Sequence, residues 1–333
     1  MNSKTAIIIT SIASPNAVLK AYAEKCAALG VEFIVVGDVT SPPIFQLEGC
    51  RFCSIDEQNK FPFKLSKLLP EKHYSRKNIG YLLSKDKEVI IETDDDNMPL
   101  PEFWNVRQEY VTAYPVEKRG WFNVYQYYSE QNLWPRGFPI EAIATGERKV
   151  AEGIGQSTNT IFSPIQQGLA DGNPDVDAIY RIAYATNIVF EKKPPLSLLP
   201  NTWCPFNSQN TSWHKDAFLL LYLPSYCSFR MTDIWRSFIA QRIAWTCNWN
   251  ILFHQATVFQ ERNEHSLLKD FADEVPGYLN NSMICRKLEE LDLKAGKENM
   301  SENLMRCYQM MVRENYIKET ELQLLEAWIY DLS

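Results

Sequence analysis

The sequence predicts an α/β fold, with a mostly parallel sheet flanked by helices and a helical C-terminal extension. Runs of β-branched residues alternate with helical patterns in the first hundred residues, as in βαβ units. Beyond about residue 268 the spacing is helical throughout, as at Leu304, Cys307 and Met311. We therefore predict a main domain over residues 1–268 and the extension over residues 269–333.

The first elements form a predicted βαβ unit. Ala6–Ile9 is an apolar, β-branched run typical of a buried strand. A helix is expected to begin near Pro15 and to end at Gly30, since proline suits a first helical turn and glycine a helix end. Val31–Val36 then reads as the second strand.

The later elements are predicted from the same periodicities. We expect a helix over 73–84, a buried strand over Val89–Ile91, and a helix that Thr232 caps. Residues 98–210 are rich in aromatic residues, proline and glycine, which is typical of loops that build a site. Within them we favour a strand at Tyr125–Tyr128.

Composition excludes several classes of protein. The 333 residues are 45% hydrophobic and 23% charged, as in ordinary globular proteins. The net charge of −7 argues against nucleic-acid binding. No apolar run approaches the roughly 18–20 residues of a membrane span. The eight cysteines are too dispersed for a disulfide framework, so we expect buried thiols in a reducing compartment, the cytoplasm.

Three carboxylates, Asp94, Asp95 and Asp96, directly follow the Val89–Ile91 strand. In open α/β sheets, ligands bind beyond the carboxyl ends of strands. Alternation along the chain lets Asp94 and Asp96 point to one side, where they would suit a hard divalent cation carrying substrate phosphates. The alternative is a solvated acidic turn in which Asp94 caps a helix.

Several runs of this sequence resemble the STELLO glycosyltransferases. They are residues 74–82, 91–97, 168–178, 205–211 and 232–242, in the same order along the chain. A more distant similarity is to the reversibly glycosylated polypeptides, which are nucleotide-sugar mutases. The resemblance covers roughly residues 5–265. It implies the GT-A fold, a nucleotide-sugar donor and an acceptor hydroxyl on a glycan or lipid-linked glycan.

The resemblance also implies a divalent ion, Mn²⁺ or Mg²⁺, on Asp94 and Asp96. Enzymes of this fold often take a third metal ligand from a late histidine. Our choice is His254, with His265 and His214 as alternatives.

For the donor nucleotide we predict Thr10 and Ser11 after the first strand, and Asp38 after the second. A carboxylate at the second position can accept a hydrogen bond from a uracil N–H group. The alternative for Asp38 is an ordinary turn residue. Asp94 and Asp95 are assigned to the donor site as well.

For the diphosphate we predict Arg76 and Asn78, on the helix before the acidic run. Gly80 shares a helical face with Arg76 and would leave room for a phosphate. The alternative is a solvated basic turn. Contacts to the sugars are assigned to Asp175, Asp177, Asn207 and Gln209.

Asp233 is the predicted catalytic base, and Arg236 its partner. The two residues share a helical face, which would hold the carboxylate beside an open space. In inverting transferases such an aspartate deprotonates the acceptor hydroxyl. The alternative is a first-turn aspartate that the helix dipole favours.

Two departures from the resembled families shape the expected function. Plant members of the STELLO family carry a transmembrane anchor, whereas this sequence shows none. We therefore expect a cytoplasmic enzyme that takes part in cell-surface polysaccharide assembly. A peripheral association with the membrane is left open. The mutases have an arginine after a run like Arg136–Pro139, where this chain has Ile140–Ile143. This makes a mutase the weaker alternative, beside a non-catalytic nucleotide-sugar-binding partner of another transferase.

Overall fold

The computed structural model describes residues 1–143, 152–184, 187–261 and 266–333. Its strands are β1 (Thr5–Thr10), β2 (Glu32–Val36), β3 (Arg51–Cys53), β4 (Val89–Thr93), β5 (Asn97–Pro99), β6 (Tyr110–Val116), β7 (Gly120–Trp121), β8 (Asn159–Phe162), β9 (Ile165–Gly172), β10 (Leu196–Leu198), β11 (Thr202–Trp203), β12 (Asn210–His214) and β13 (Ile251–Gln260). Its α-helices are α1 (Ala17–Leu29), α2 (Ile55–Gln58), α3 (Lys77–Leu83), α4 (Val124–Tyr128), α5 (Ile140–Ile143), α6 (Ala178–Ala183), α7 (Thr232–Thr246), α8 (Leu267–Glu290), α9 (Met300–Arg313) and α10 (Glu321–Leu332).

A large sheet forms the centre of the molecule, in the order β3-β2-β1-β4-β12-β9-β13-β10-β6-β8. The first four of these strands are parallel, whereas β12 runs antiparallel to both of its neighbours. Helices flank the sheet, and α8, α9 and α10 follow it in the chain. The predicted α/β fold with a helical C-terminal extension is therefore confirmed, although the sheet is mixed and not mostly parallel, since β12, β10–β13 and β6–β8 pair antiparallel.

The topology gathers several chain segments at one edge of the sheet. β1, β2 and β4 end there because they are parallel. β12 begins there, since Asn210 pairs with Thr93, the last residue of β4. β9 and β13 also end there, with Gln260 opposite Gly172. This edge is where a ligand site is expected in an α/β protein.

Two local features hold this edge in place. The Asn16 side chain caps α1 by accepting from the Leu19 N–H, and its Nδ2 donates to the Asp95 carbonyl at 2.8 Å. Gly80 lets α3 pack closely on the sheet, because an added Cβ would lie 2.4 Å from Ile8 Cγ2. The prediction that Gly80 leaves room for a phosphate is therefore wrong.

Two predicted elements differ from the structure. Tyr125–Tyr128 lies in α4 and not in a strand. Tyr128 is buried there and its hydroxyl donates to the Phe253 carbonyl at 3.0 Å, so tertiary contacts override the β propensity of tyrosine. Thr232 is the first residue of α7 and does not cap it, since the preceding Met231 occupies the cap position without a side-chain bond.

The helical extension shares one hydrophobic core with the sheet. Leu304 and Trp328 belong to the same buried cluster as Ile8 and Ile90. The division of the chain at residue 268 stays a prediction. None of the helices in the described ranges combines the length and the apolar character that crossing a membrane requires.

An ion pair between Glu92 and Arg236 lies inside this core, where both side chains are at most 1% exposed. The guanidinium donates to both carboxylate oxygens, at 2.7 and 2.9 Å, and stacks over the Trp213 ring. Trp213 Nε1 and the Tyr81 hydroxyl also donate to Glu92. The pair thus ties α7 to β4, the strand that leads into the acidic run.

We predict that Arg236→Met lowers the free energy of unfolding by about 3–5 kcal/mol, because it leaves the Glu92 charge buried without its partner. Urea denaturation measures the loss. The double variant Arg236→Met with Glu92→Gln should lose less, since no charge is then stranded. Arg313→Met removes an exposed arginine and is the control, with a change of about 0.5 kcal/mol or less. Equal losses in the single and double variants would contradict a charge effect.

Candidate active site

A cavity of ≈ 570 Å³ lies at the edge of the sheet where β1, β2 and β4 end. Its size is in the range of small-molecule sites. Many residues predicted for the site line this cavity together: Thr10, Ser11, Asp38, Arg76, Asp94, Asp95, Asp96, Asp175, Gln209 and Asp233. The sequence therefore located the cavity, although the roles of these residues stay predictions.

The three consecutive aspartates each have a different partner. Lys77, whose side chain is fully buried, donates to Asp94 Oδ1 at 3.0 Å and also to the Thr93 carbonyl. Ser11 Oγ donates to Asp95. Gln260 Nε2, at the end of β13, donates to Asp96 Oδ2 at 3.1 Å. These contacts fix the acidic loop, residues 94–96, against three neighbouring elements.

The acidic loop places three carboxylates close together at a partly buried position. Burial raises the pKa of Asp94 to about 7; Lys77 opposes this shift and the nearby Asp96 adds to it. Burial also raises the pKa of Asp95, against the hydrogen bond from Ser11. An added cation would stabilise these carboxylates, because it removes the repulsion between them.

A second charged cluster lies in the wall of the same cavity. Arg136 lies between two carboxylates. Its Nε and Nη2 donate to the two oxygens of Asp175, each at 2.8 Å. Its Nη1 and Nη2 donate to the two oxygens of Asp233, each at 3.0 Å. All three side chains are 10% exposed or less. Asn207 supports the cluster by donating to Asp175 Oδ2 at 2.9 Å.

Both carboxylate oxygens of Asp233 accept hydrogen bonds, and the side chain also lines the cavity. Ser208 donates to it through its backbone N–H, at 3.1 Å, and through its hydroxyl. Burial raises the pKa of Asp233, but the charge and hydrogen bonds of Arg136 outweigh burial and hold that pKa well below its usual range. The carboxylate is therefore ionised at neutral pH and is a weak proton acceptor.

Hydrogen bonds connect the two charged groups. Lys77 Nζ, which binds Asp94, also donates to the Ser208 carbonyl at 3.4 Å, and Ser208 in turn binds Asp233. The acidic loop thus contacts Ser11, which follows β1, on one side and is connected to Asp233 on the other.

An aromatic wall faces the cavity between Asp38 and Asp233. The His73 N–H donates to Asp38 Oδ2 at 3.0 Å, and the His73 ring contacts the rings of Tyr74 and Phe229. The Tyr74 hydroxyl accepts from the Asp233 N–H at 3.1 Å. Phe229 is 45% exposed, so one ring of this wall is open to a ligand.

Several predicted residues have structural partners instead of an open face. Asn78 is buried away from the cavity, where its amide bonds both backbone groups of Leu223. Asp177 caps α6 and accepts from Trp134 Nε1, and burial raises its pKa to about 6. Arg76 lines the cavity, but its Nε and Nη1 donate to Gln58 and to the Leu69 carbonyl. Neither Asn78, Asp177 nor Asn207 lines the cavity.

The prediction that Arg236 holds Asp233 is wrong. Arg236 binds Glu92 in the core and does not line the cavity, whereas Arg136 binds Asp233. Helical spacing correctly predicts that Asp233 and Arg236 lie near one another on α7. Each of them, however, forms its ion pair with a residue outside α7.

The structure does not bring His254 to the acidic loop. His254 lies six residues before Gln260 on β13, a separation of roughly 20 Å along a strand. Gln260, and not His254, contacts Asp96. His214 is buried at the far end of β12, and His265 lies outside the described residues.

The sequence did not assign Arg136 and Gln260, which line the cavity, to the site, and it did not identify the buried Lys77, which does not line the cavity, as the partner of Asp94. Lys77 and Arg136 lie inside runs that the motif analysis quoted, so their charge was a usable signal. Gln260 had none, because only the pairing of β13 with β9 and β5 places it at this edge.

The sheet and the position of its charged cavity place this chain in a broad class of proteins. In this class of α/β proteins, ligands bind at the carboxyl ends of the strands. Within that class, residues 230–333 match the family model of STELLO glycosyltransferases. The chain is 27% identical over 326 residues to "Probable glycosyltransferase STELLO2" of Arabidopsis thaliana, with 91% of this chain and 41% of that protein covered. "Probable glycosyltransferase STELLO1" of the same plant is 26% identical with the same coverage.

These comparisons confirm the resemblance to the STELLO glycosyltransferases, but the predicted limit near residue 265 is wrong, because the family model includes the helical extension. The chain spans about two fifths of the length of the curated relatives it matches. A solved "Crystal Structure of a Mycobacterial Protein" aligns with a TM-score of 0.43 and 9% identity, over 83% of this chain and 74% of that one.

We predict that the buried histidines destabilise the protein as the pH falls from 7 to 5, while Asp94 and Asp177, whose pKa values burial raises to about 7 and about 6, act in the opposite direction. Burial lowers the pKa of His73 and His214 to about 4 and that of His254 to about 3. These folded-state values lie below the unfolded value, so the unfolded chain binds more protons and stability is lost as pH falls below about 6.5. Each histidine should contribute roughly 1–2 kcal/mol to the loss.

Urea denaturation at several pH values measures this effect. Relative to the wild type, His254→Gln should gain roughly 1–2 kcal/mol of stability between pH 7 and pH 5, whatever its effect at pH 7. An unchanged slope in this variant would mean that other groups cause the acid sensitivity.

Proposed function

We propose that this chain is a glycosyltransferase that moves a sugar from a nucleotide-diphosphate donor, with a UDP-sugar favoured, to a hydroxyl of a glycan or lipid-linked glycan. The observation that carries the proposal is that one cavity holds both the acidic loop and the Asp175–Arg136–Asp233 cluster. The acidic loop could bind a diphosphate through a cation. The carboxylates of the cluster could stabilise the positive charge that develops at the sugar carbon during transfer. The similarity to the STELLO glycosyltransferases supports the same reaction class.

The acidic loop fits a hard divalent cation, for which we propose Mn²⁺ or Mg²⁺ on Asp94 and Asp96. The raised pKa of Asp94 reflects burial beside like charge, which a cation would relieve. The described residues contain no group of three or more histidine, cysteine or acidic side chains placed to hold a metal. Ions that carry substrate phosphates need only one or two carboxylates from the protein. When bound, such an ion would stabilise the leaving diphosphate as a Lewis acid.

We assign the nucleotide to the part of the cavity beside β1 and β2. Thr10, Ser11 and Asp38 line it, and the exposed Phe229 offers a flat face for a base. Asp38 remains our candidate for the base N–H, although its oxygens also accept from the backbone N–H groups of Val39 and His73.

We assign the acceptor hydroxyl to Asp233. Its oxygens are oriented by Arg136 and Ser208, so they can hold the hydroxyl in one direction. Because its pKa is held low, Asp233 would take the proton only as the new glycosidic bond forms. Asp175 adds negative charge on the other side of Arg136. Gln209 lines the cavity near this end and is kept as a sugar contact.

The setting that we propose is polysaccharide assembly in the cytoplasm. All eight cysteines are free thiols, which suits a reducing compartment.

We predict that a UDP-sugar with Mn²⁺ raises the melting temperature, because a ligand that binds only the folded state stabilises it. Asp96→Asn should weaken donor binding at least about tenfold, since it removes a carboxylate from the cation. Asp86→Asn removes an exposed aspartate outside the cavity and is the matched control. The same panel with GDP-, CMP- and TDP-sugars tests the base. No shift with any donor would overturn the proposal.

We predict that Asp233→Asn lowers the rate of transfer by about 10²–10⁴-fold while donor affinity stays within about twofold. The reason is that the amide keeps the shape of the side chain but cannot take the acceptor proton. Single-turnover transfer and donor titration measure the two effects separately, and the melting temperature shows whether the variant folds. If donor affinity fell as much as the rate, Asp233 would be a donor-binding residue.

A further inference from the structure

A second cavity, of ≈ 730 Å³, lies among the C-terminal helices. It is formed by α7, α8 and the connection between α9 and α10, together with residues 225–228. Its size falls in the range of pockets that hold small ligands. None of its lining residues lines the cavity with the acidic loop.

One short segment separates the two cavities. Residues 225–228 face the second cavity, whereas Phe229 and Arg230 face the first. We call residues 225–230 the partition loop. A ligand that contacts residues 225–228 would therefore touch the segment that carries two residues of the first cavity.

Carboxylates of the helical extension hold the partition loop from both ends. Glu321, which is fully buried, accepts from the backbone N–H groups of Ser225, at 3.0 Å, and Tyr226, at 2.6 Å. Glu274, also fully buried, accepts from Arg230 Nε and Nη2 at 3.0 and 2.8 Å. The loop is thus a fixed wall of the second cavity, and its backbone polar groups are oriented before any ligand binds.

The chemistry of the second cavity excludes strongly charged ligands. Its charged lining residues are Lys318 and Glu319, one of each sign. A nucleotide or phosphate would need several cationic donors, and a divalent cation would need several carboxylates. Neither set is present among the described residues that line it.

The remaining lining residues suit a neutral molecule rich in hydroxyl groups. The half-buried aromatic residues are Tyr226 and Tyr316, and the buried Trp235 lies behind Tyr316 with the two rings 6.3 Å apart. The neutral polar side chains are Ser225, Ser228, Asn280 and Asn315. Ser225 Oγ bonds Ser75 Oγ, and Ser228 Oγ and Asn280 Nδ2 donate to backbone carbonyls, so the oxygens of these side chains are what they offer a ligand. Aromatic faces pack on the C–H faces of sugar rings, and amides and hydroxyls can both donate to and accept from sugar hydroxyls.

From this lining we propose that the second cavity binds a neutral saccharide, as a non-catalytic site next to the transfer site. The choice of a saccharide rests in part on the proposed function, because a glycosyltransferase that acts on a glycan meets such ligands. The site would hold a glycan segment beside the partition loop while the transfer site works on another.

Binding without turnover tests this inference. The probes are neutral tri- and tetrasaccharides of glucose, galactose, mannose and N-acetylglucosamine, each titrated calorimetrically into the whole chain. We expect one or more to bind with a dissociation constant of about 10 μM to 1 mM. Tyr316→Ala and Asn280→Ala should each weaken that binding at least about tenfold. Tyr330→Ala removes a 62% exposed tyrosine of α10 outside the cavity and should leave it unchanged.

Two further arms separate this site from the transfer site. Asp233→Asn should leave saccharide affinity unchanged, and Tyr316→Ala should leave the thermal shift by UDP-sugar and Mn²⁺ unchanged. The inference is overturned if no probe binds at millimolar concentration, if both cavity variants bind as the wild type does, or if Asp233→Asn removes the binding. The proposed transferase would survive all three results, since its donor assay is independent.

Discussion

The negative charge that follows β4 is the constraint on which the site depends. Three carboxylates succeed a fully buried strand, where burial disfavours charge. The buried Lys77 supplies one positive charge and joins Asp94 to the carbonyls of Thr93 and Ser208. Burial still raises the pKa of Asp94 to about 7 against the charge of this lysine, so the ionised form of Asp94 remains unfavourable in the folded chain. The same lysine also sets the distance between this loop and the Asp233 end of the cavity.

The sequence predicted what local chemistry determines. The apolar run of β1, the glycine end of α1 and the acidic run after β4 are each encoded in a few adjacent residues, and the structure has all three. The α4 helix was missed because its tyrosines look like strand residues, and only their packing against β13 decides otherwise. The cap predicted at Thr232 was wrong for the same reason, because the residues before α7 are fixed by contacts with distant elements, as Met231 is by Gly277 of α8.

The site was predictable in its location but not in its pairings. Strand ends converge by topology, so residues after β1, β2 and β4 could be assigned to one cavity from the chain order alone. Pairings join residues that lie far apart in sequence: Gln260 reaches Asp96 across 164 positions, and Arg136 reaches Asp233 across 97. Spacing within one helix suggested Arg236 for Asp233, yet that arginine is needed to neutralise Glu92 in the core.

Arg136 changes what Asp233 can contribute to a transfer reaction. Two carboxylates share one guanidinium, so the cluster keeps a net negative charge in a fixed geometry. A carboxylate held in this way is a poor base, since its pKa is low. It is a good source of negative potential, because its oxygens need no reorganisation when positive charge develops nearby. Preorganised charge, with proton transfer late in the reaction, is therefore the role that this geometry favours for Asp233. Without the long-range contact with Arg136, the pKa of Asp233 would not be held low, and ordinary general-base catalysis would be the expected role.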